Sequence, residues 1–170
     1  MNEHFLHYLR FNLFEPTTSI PIAGFKLMRI LAIFLVFLLS APVSAEMPVR
    51  QLEISGHTLF AEVAHTQIAR SQGLMFRQSM KENNGMLFVF PEMGRHSMWM
   101  MNTYIPLSVA FLDERGVILN IADMAPNTRT SHSAAGAAKY ALEMNLGWFA
   151  ARNVKAGARV IGLEKIPAPE

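Results

Sequence analysis

Residues 49–63, VRQLEISGHTLFAEV, contain the pattern that decides the fold of this chain. Apolar residues alternate with polar ones from 51 to 54, and alternation returns from 59 to 63. A period of two is typical of a strand that buries one face and leaves the other in water. Ser55 and Gly56 separate the two runs and form a two-residue turn signal. The stretch therefore predicts a β-hairpin.

Further strands are predicted along the rest of the chain. GMLFVF (85–90) is a continuous apolar run between Gly85 and Pro91, which suits a fully buried strand. LSVAFL (107–112) faces VILNIA (117–122) across a four-residue turn, which is typical of a second hairpin. Two more short runs have strand character, KYALEM and ARVIGLE.

Helical signals are few. HTQIARSQGLM (65–75) predicts one short helical turn, with Thr66 as its N-cap and Gly73 as its stop, and WFAARN (148–153) predicts another. Many short strands with frequent turns and only two short helical turns are typical of an all-β domain. We expect a single β-sandwich or jelly-roll-like domain.

The N-terminal region predicts export. Residues 30–39, ILAIFLVFLL, form an apolar run of ten that follows Lys26 and Arg29 and precedes small residues. This is the layout of a signal peptide, and the run is too short for a membrane-spanning helix. Residues 28–45 form a compact signal peptide by themselves, so residues 1–27 are interpreted as a misassigned start.

Cleavage after Ala45 would release residues 46–170 as the mature β domain. We expect a soluble periplasmic or extracellular product, which meets the membrane only through the signal peptide before cleavage. An exported chain with no cysteine has no disulfides.

Composition excludes some partners. Three of the 15 Lys and Arg residues and two of the 13 Asp and Glu residues lie in residues 1–45, so residues 46–170 carry a formal charge of +1. Without a basic stripe there is no electrostatic basis for binding nucleic acid. A small molecule or another protein of the cell envelope is the expected partner.

Polar residues inside apolar blocks are the best candidates for a site. These residues, with one neighbouring aromatic, are Arg77, Trp99, Asn102, Thr103 and Glu143. Buried polar groups need partners, so Arg77 is predicted to pair with Glu143, with Asn102 nearby. Either the cluster is a structural ion pair, or it forms the floor of a pocket beneath the 126–136 loop with Trp99 as a wall. In the second case a small anionic or sugar-like ligand is favoured, and the protein is a non-catalytic binding or interaction module.

HSMWMM (96–101) raises a second possibility. On an extended strand His96, Met98 and Met100 would share a face, and imidazole and thioether groups are ligands that suit Cu(I) or Ag(I). Methionine is also an ordinary filler of apolar cores. Core packing without a cofactor is the preferred interpretation, and a soft-metal protein that binds copper is the alternative.

An enzymatic function is the third possibility. The chain has no nucleophile elbow, zinc-binding helix motif, phosphate loop or cysteine nucleophile. A hydrolase would therefore depend on Asp113, Asp123 or Glu143 forming an acid/base pair in one cleft.

Several blocks in register carry a family resemblance. They are GLMFR (73–77), GMLFVF (85–90), WMMNT (99–103), IPL (105–107) with AFL (110–112), and ALE (141–143) with Gly147. Over roughly residues 50–163 the chain resembles the DUF192 family. The resemblance implies a small, mainly β domain of jelly-roll-like type, commonly exported, and it implies no function.

The chain departs from the family pattern at two positions. Met101 stands where the pattern usually has a basic residue, and Ser108 stands where it usually has an acidic one. The paired change suggests that an ion pair has been replaced by neutral groups.

Overall fold

The computed structural model describes residues 47–170, and it begins with the predicted hairpin. Strand β1 (Val49–Ile54) pairs antiparallel with β2 (His57–Ala64), and Ile54 lies opposite His57. Ser55 and Gly56 form the turn with φ angles of 50° and 80°. Two successive positive φ angles are characteristic of the turn type that matches the twist of a hairpin. The hairpin prediction is confirmed.

The remaining elements are mostly short strands. Their bounds are α1 (Gln67–Gln72), β3 (Asn84–Gly94), β4 (Ser97–Met98), β5 (Leu107–Leu112), β6 (Ile118–Met124), β7 (His132–Ser133), β8 (Ala138–Asn145), α2 (Trp148–Ala151), β9 (Val160–Ile161) and a 3₁₀ turn (Leu163–Lys165). Thr66 caps α1 by accepting a hydrogen bond from the Ala69 amide, and α1 ends at Gly73, as predicted. No helix within residues 47–170 is long and apolar enough to cross a membrane.

Seven strands form one sheet in the order β6-β5-β8-β3-β2-β1-β9. Within the described residues β2 and β3 are the one parallel pair, and α1 lies in the connection between them. The sheet curls until the first residues of its two edge strands, β6 and β9, come together. The Ile118 amide donates to the Ala158 carbonyl at 2.8 Å, and the Val160 amide donates to the Gly116 carbonyl at 2.9 Å.

The all-β class is confirmed, with two short helices. The layers expected of a sandwich are two parts of one curled sheet, a half-barrel. Alternation and turn signals do not distinguish these arrangements, because each strand buries a face in both.

Apolar side chains fill both sides of the central strands. The inner core takes residues from all seven strands of the sheet, including Leu52, Leu87 and Leu142. An outer core lies on the other face of β3, β5 and β8 and includes Leu74 and Met100 from the segments that cover it. Central strands buried on both faces read as continuous apolar runs. The prediction of a fully buried strand at 85–90 is therefore confirmed.

The segment from 96 to 103 is not the single extended strand on which a shared face of His96, Met98 and Met100 would depend. Only Ser97–Met98 is paired, with β7, and the chain then turns. Asn102 adopts a left-handed conformation with φ of 57°, which Asn tolerates better than most residues. Met100 is fully buried in the outer core, whereas Trp99 is 57% exposed.

The predicted signal peptide, its cleavage after Ala45 and the start at Met28 lie outside the described residues. They stay predictions.

Candidate functional site

A cleft opens over the outer face of the sheet. It lies between the C-terminal end of α1, strand β3 and the segment 97–103, and its volume is about 300 Å³. Phe88 and Phe90 of β3 line it, together with Met75 and Met98. Clefts of this volume fall in the range of small-molecule sites.

Glu143 is the buried charged residue in this cleft. It lies on β8 directly between Met86 of β3 and Val109 of β5, which are both fully buried. Glu143 is 3% exposed, and among residues 47–170 no hydrogen bond or ion pair reaches its carboxyl group. Burial raises the pKa of Glu143 to about 8. The side chain is therefore mostly a neutral carboxylic acid at pH 7 in the unliganded protein.

Trp99 and Thr103 line the same cleft from the turn that covers the outer core. The exposed ring of Trp99 lies at the cleft, and Thr103 is almost fully buried. Two main-chain hydrogen bonds hold this turn: the Met100 amide donates to the Thr128 carbonyl and the Asn127 amide to the Thr103 carbonyl, both at 3.0 Å. The 126–136 loop supports the turn and does not line the cleft itself.

The predicted pair of Arg77 with Glu143 is wrong. Arg77 Nη2 lies 2.5 Å from Glu62 Oε2 on β2, and Arg77 does not line the cleft. Phe76, the preceding residue, has a φ of 66°, so the chain turns just before Arg77. Glu143 therefore lacks the cation that the sequence suggested.

Asn102 also lies outside the cleft lining. Its side chain is exposed, and its carbonyl accepts a hydrogen bond from the Phe76 amide at 2.8 Å. The structure thus brings three of the five predicted residues together, Trp99, Thr103 and Glu143.

Arg70 lines the cleft and was missed by sequence reasoning. Its guanidinium donates to the main-chain oxygens of His65, Val89 and Glu170, at 3.1 Å for Val89 and 2.8 Å for Glu170. Arg70 is the last-turn basic residue of α1, and this placement was the one signal available in the sequence.

The predicted soft-metal residues occupy different environments. His96 Nε2 is 2.9 Å from the Glu92 carbonyl oxygen, and its ring stacks on Phe90 with centroids 3.7 Å apart. Met98 lines the cleft, whereas Met100 is fully buried. Within residues 47–170 no three His, Cys, Asp or Glu residues are grouped to hold a metal ion. Copper binding by His96, Met98 and Met100 stays a prediction.

The three carboxylates of the enzymatic hypothesis lie apart. Asp113 is in the β5–β6 turn, where its Oδ1 accepts hydrogen bonds from the amides of Arg115 and Val117. Asp123 and Glu143 line different clefts. The expected acid/base pair is therefore not formed.

The second cleft has a volume of about 520 Å³ and contains Ser108 and Asp123. The Ser108 hydroxyl donates to Asp123 Oδ1 at 2.5 Å and accepts from the Gly147 amide at 2.9 Å. Ser108 and Asp123 are therefore bonded to each other in this cleft, whereas within residues 47–170 the carboxyl group of Glu143 has no such partner.

Comparison with known proteins now places this arrangement in a family. The family model of DUF192, described as "Uncharacterized ACR", matches residues 50–162. The chain belongs to the DUF192 family. The match includes Glu143, Trp99 and Thr103, so the cleft lies within the DUF192 domain.

Two solved structures are similar to this DUF192 chain. One is a candidate transcription regulator from Sinorhizobium meliloti 1021, with 33% identity, a TM-score of 0.68, and coverage of 70% of this chain and 97% of that chain. The other is a protein of unknown function from Novosphingobium aromaticivorans DSM 12444, with 31% identity, a TM-score of 0.67, and coverage of 72% and 90%. Comparison with curated proteins gave no match.

Proposed function

We propose that this DUF192 domain binds a small molecule in the cleft over Glu143. One observation carries the proposal: a carboxyl group is buried in an apolar wall, without a partner among the described residues, and still borders an open cleft. Burial makes this carboxyl group costly to ionise, and within residues 47–170 no hydrogen bond or ion pair offsets that cost. A bound ligand would supply the missing hydrogen bond.

The surroundings of Glu143 suit recognition better than catalysis. No second carboxylate lines the cleft, so an acid/base pair of carboxylates is absent from this part of the described chain. Rings, thioethers and a few polar groups form the remaining walls, the usual composition of a binding site. The small anionic ligand suggested by the sequence is disfavoured, because Arg77 is elsewhere and Arg70 is bonded to main-chain oxygens.

A thermal-shift screen of sugars, polyols, small anions and small amines tests this function. We expect at least one compound to raise the Tm of the wild-type domain and to lose that effect in Glu143→Met and Trp99→Ala. Arg77→Ala should retain the shift, because Arg77 lies outside the cleft. No shift from any compound, or an equal shift in Glu143→Met, would contradict the proposal.

We also propose that the domain works outside the cytoplasm, in the periplasm or extracellular space. The support is the sequence alone: a basic start, a ten-residue apolar run and small residues before Glu46. Mass spectrometry of the mature protein should give an N-terminus at Glu46. Recovery of peptides from residues 2–26 in the precursor would contradict a start at Met28.

A further inference from the structure

The groups around Glu143 restrict what kind of ligand the cleft can take. On β3 and β5 its cross-strand neighbours are Met86 and Val109, and neither side chain can donate a hydrogen bond. An ionised carboxylate accepts hydrogen bonds at both oxygens and donates none. Glu143 is mostly neutral in the unliganded protein, and a donor with a positive charge is the ligand group that would favour its ionised form and pair with it.

The cleft walls are compatible with a cation. Phe88, Phe90 and Trp99 all line the cleft, and the faces of aromatic rings attract cations. The sulfur atoms of Met75 and Met98 add polarisable surface, suited to an alkyl chain. A cation with a short apolar part would use both kinds of wall.

Arg70 is the other charged residue in the lining, and its charge must be considered. Its guanidinium donates to the main-chain oxygens of His65, Val89 and Glu170, so these contacts fix its position. Burial raises the pKa of Glu143, and within residues 47–170 no basic side chain lowers it. Among the described residues, Glu143 is the one acidic residue in the cleft lining.

We propose that the cleft selects small amines, with the ligand ammonium group at Glu143 and its alkyl part against Trp99 and the two methionines. This inference rests on the proposed binding function and names its ligand class. The cation favours the ionised form of Glu143, so the neutral acid loses its proton to the buffer when the amine binds at pH 7. The ammonium group itself keeps its charge.

A matched pair of probes tests the charge preference: n-butylamine, which is cationic at pH 7, and 1-butanol, which is neutral and of similar size. Binding is followed by NMR of ¹³C-methyl methionine. We expect the amine to shift the Met75 and Met98 methyl signals, to leave Met144 of the inner core unmoved, and to bind about tenfold more tightly than the alcohol. Titration calorimetry in phosphate and in Tris should show proton release with the amine alone.

Glu143→Gln is the decisive variant, because it keeps the shape of the side chain and cannot ionise. Its fold is checked by the unmoved Met144 signal, and its preference for the amine should disappear. Equal binding of both probes to the wild type, or tighter binding of the alcohol, would overturn the amine inference and leave the binding function standing. Binding of neither probe would also overturn it, and the wider thermal-shift screen would then decide the binding function separately.

Discussion

Replacing Glu143 by glutamine should remove a large part of the pH dependence of folding stability. The pKa of Glu143 is about 8 in the folded protein, whereas the ordinary pKa of a glutamate side chain is 4.5. The folded state therefore holds a proton that the unfolded state releases between these two values. The stability due to this group is complete below pH 4.5 and falls as the pH rises towards 8.

The size of the effect follows from the slope for one proton, about 1.4 kcal/mol per pH unit. Between pH 5 and pH 7 the folded group stays mostly protonated, while the unfolded group is mostly ionised. Wild-type protein should therefore lose about 2 to 3 kcal/mol more than Glu143→Gln over this interval. The comparison uses differences between pH values, so titration of all other groups cancels.

Urea unfolding at pH 5 and pH 7 measures this quantity in both proteins. Glu53→Gln is the matched control, since Glu53 is an exposed carboxylate on β1, and it should retain the wild-type pH dependence. If wild type and Glu143→Gln lose the same stability between the two pH values, Glu143 is not a buried, partnerless acid. The argument for the cleft would then fail with it.

Three other predictions follow from the structure. Gly85→Ala should destabilise the domain by more than about 2 kcal/mol, because the new methyl group would lie 2.3 Å from the Glu143 carbonyl oxygen. Gly136→Ala is the control and should be tolerated, because the nearest atom to its new methyl group would be 3.7 Å away. Equal Tm values for the two variants would refute this prediction. Burial raises the pKa of Asp113, but hydrogen bonds from the Val117 and Arg115 amides and from the Arg115 guanidinium outweigh burial and leave the pKa lowered. Asp113→Ala should therefore reduce the free energy of unfolding in urea by about 1 to 2 kcal/mol at pH 7, and by less as the pH falls through that lowered pKa. An equal reduction at pH 7 and pH 3 would contradict this prediction. Titration with Ag(I) should leave the methionine methyl NMR signals unmoved, since His96 is bonded to the Glu92 carbonyl and Met100 is buried. Shifts of the Met98 and Met100 signals together would instead support the soft-metal alternative.

The strands were predictable because their signals are local. Alternation around Ser55 and Gly56 fixed the first hairpin, and the run at 85–90 identified the central strand. The curl of the sheet was not predictable, because it depends on hydrogen bonds between residues 116–118 and 158–160. No local pattern records such a pairing.

Part of the cleft lining was predicted for the same reason. Glu143 was a sound candidate, since an acidic residue inside an apolar strand is unusual wherever that strand lies. The predicted partner of Glu143, Arg77, was wrong. Phe76 adopts a left-handed conformation, so the chain turns just before Arg77, and Arg77 pairs with Glu62 on β2 instead. The turn at Asn102 interrupts the extended conformation considered for 96–103. Asn adopts positive φ angles more readily than most residues, so its presence was a signal for a turn.

The pairing of β1 with β9 has a consequence for how the chain reaches its native state. The strand built from residues 49–54 needs residues 160–161 beside it, so the first and last parts of the domain must find each other before the sheet is complete. Pairings this distant in sequence slow folding. We propose that this domain is exported, and a chain that crosses a membrane before it folds would benefit from that delay, because the sheet is not complete until residues 160–161 have been synthesised.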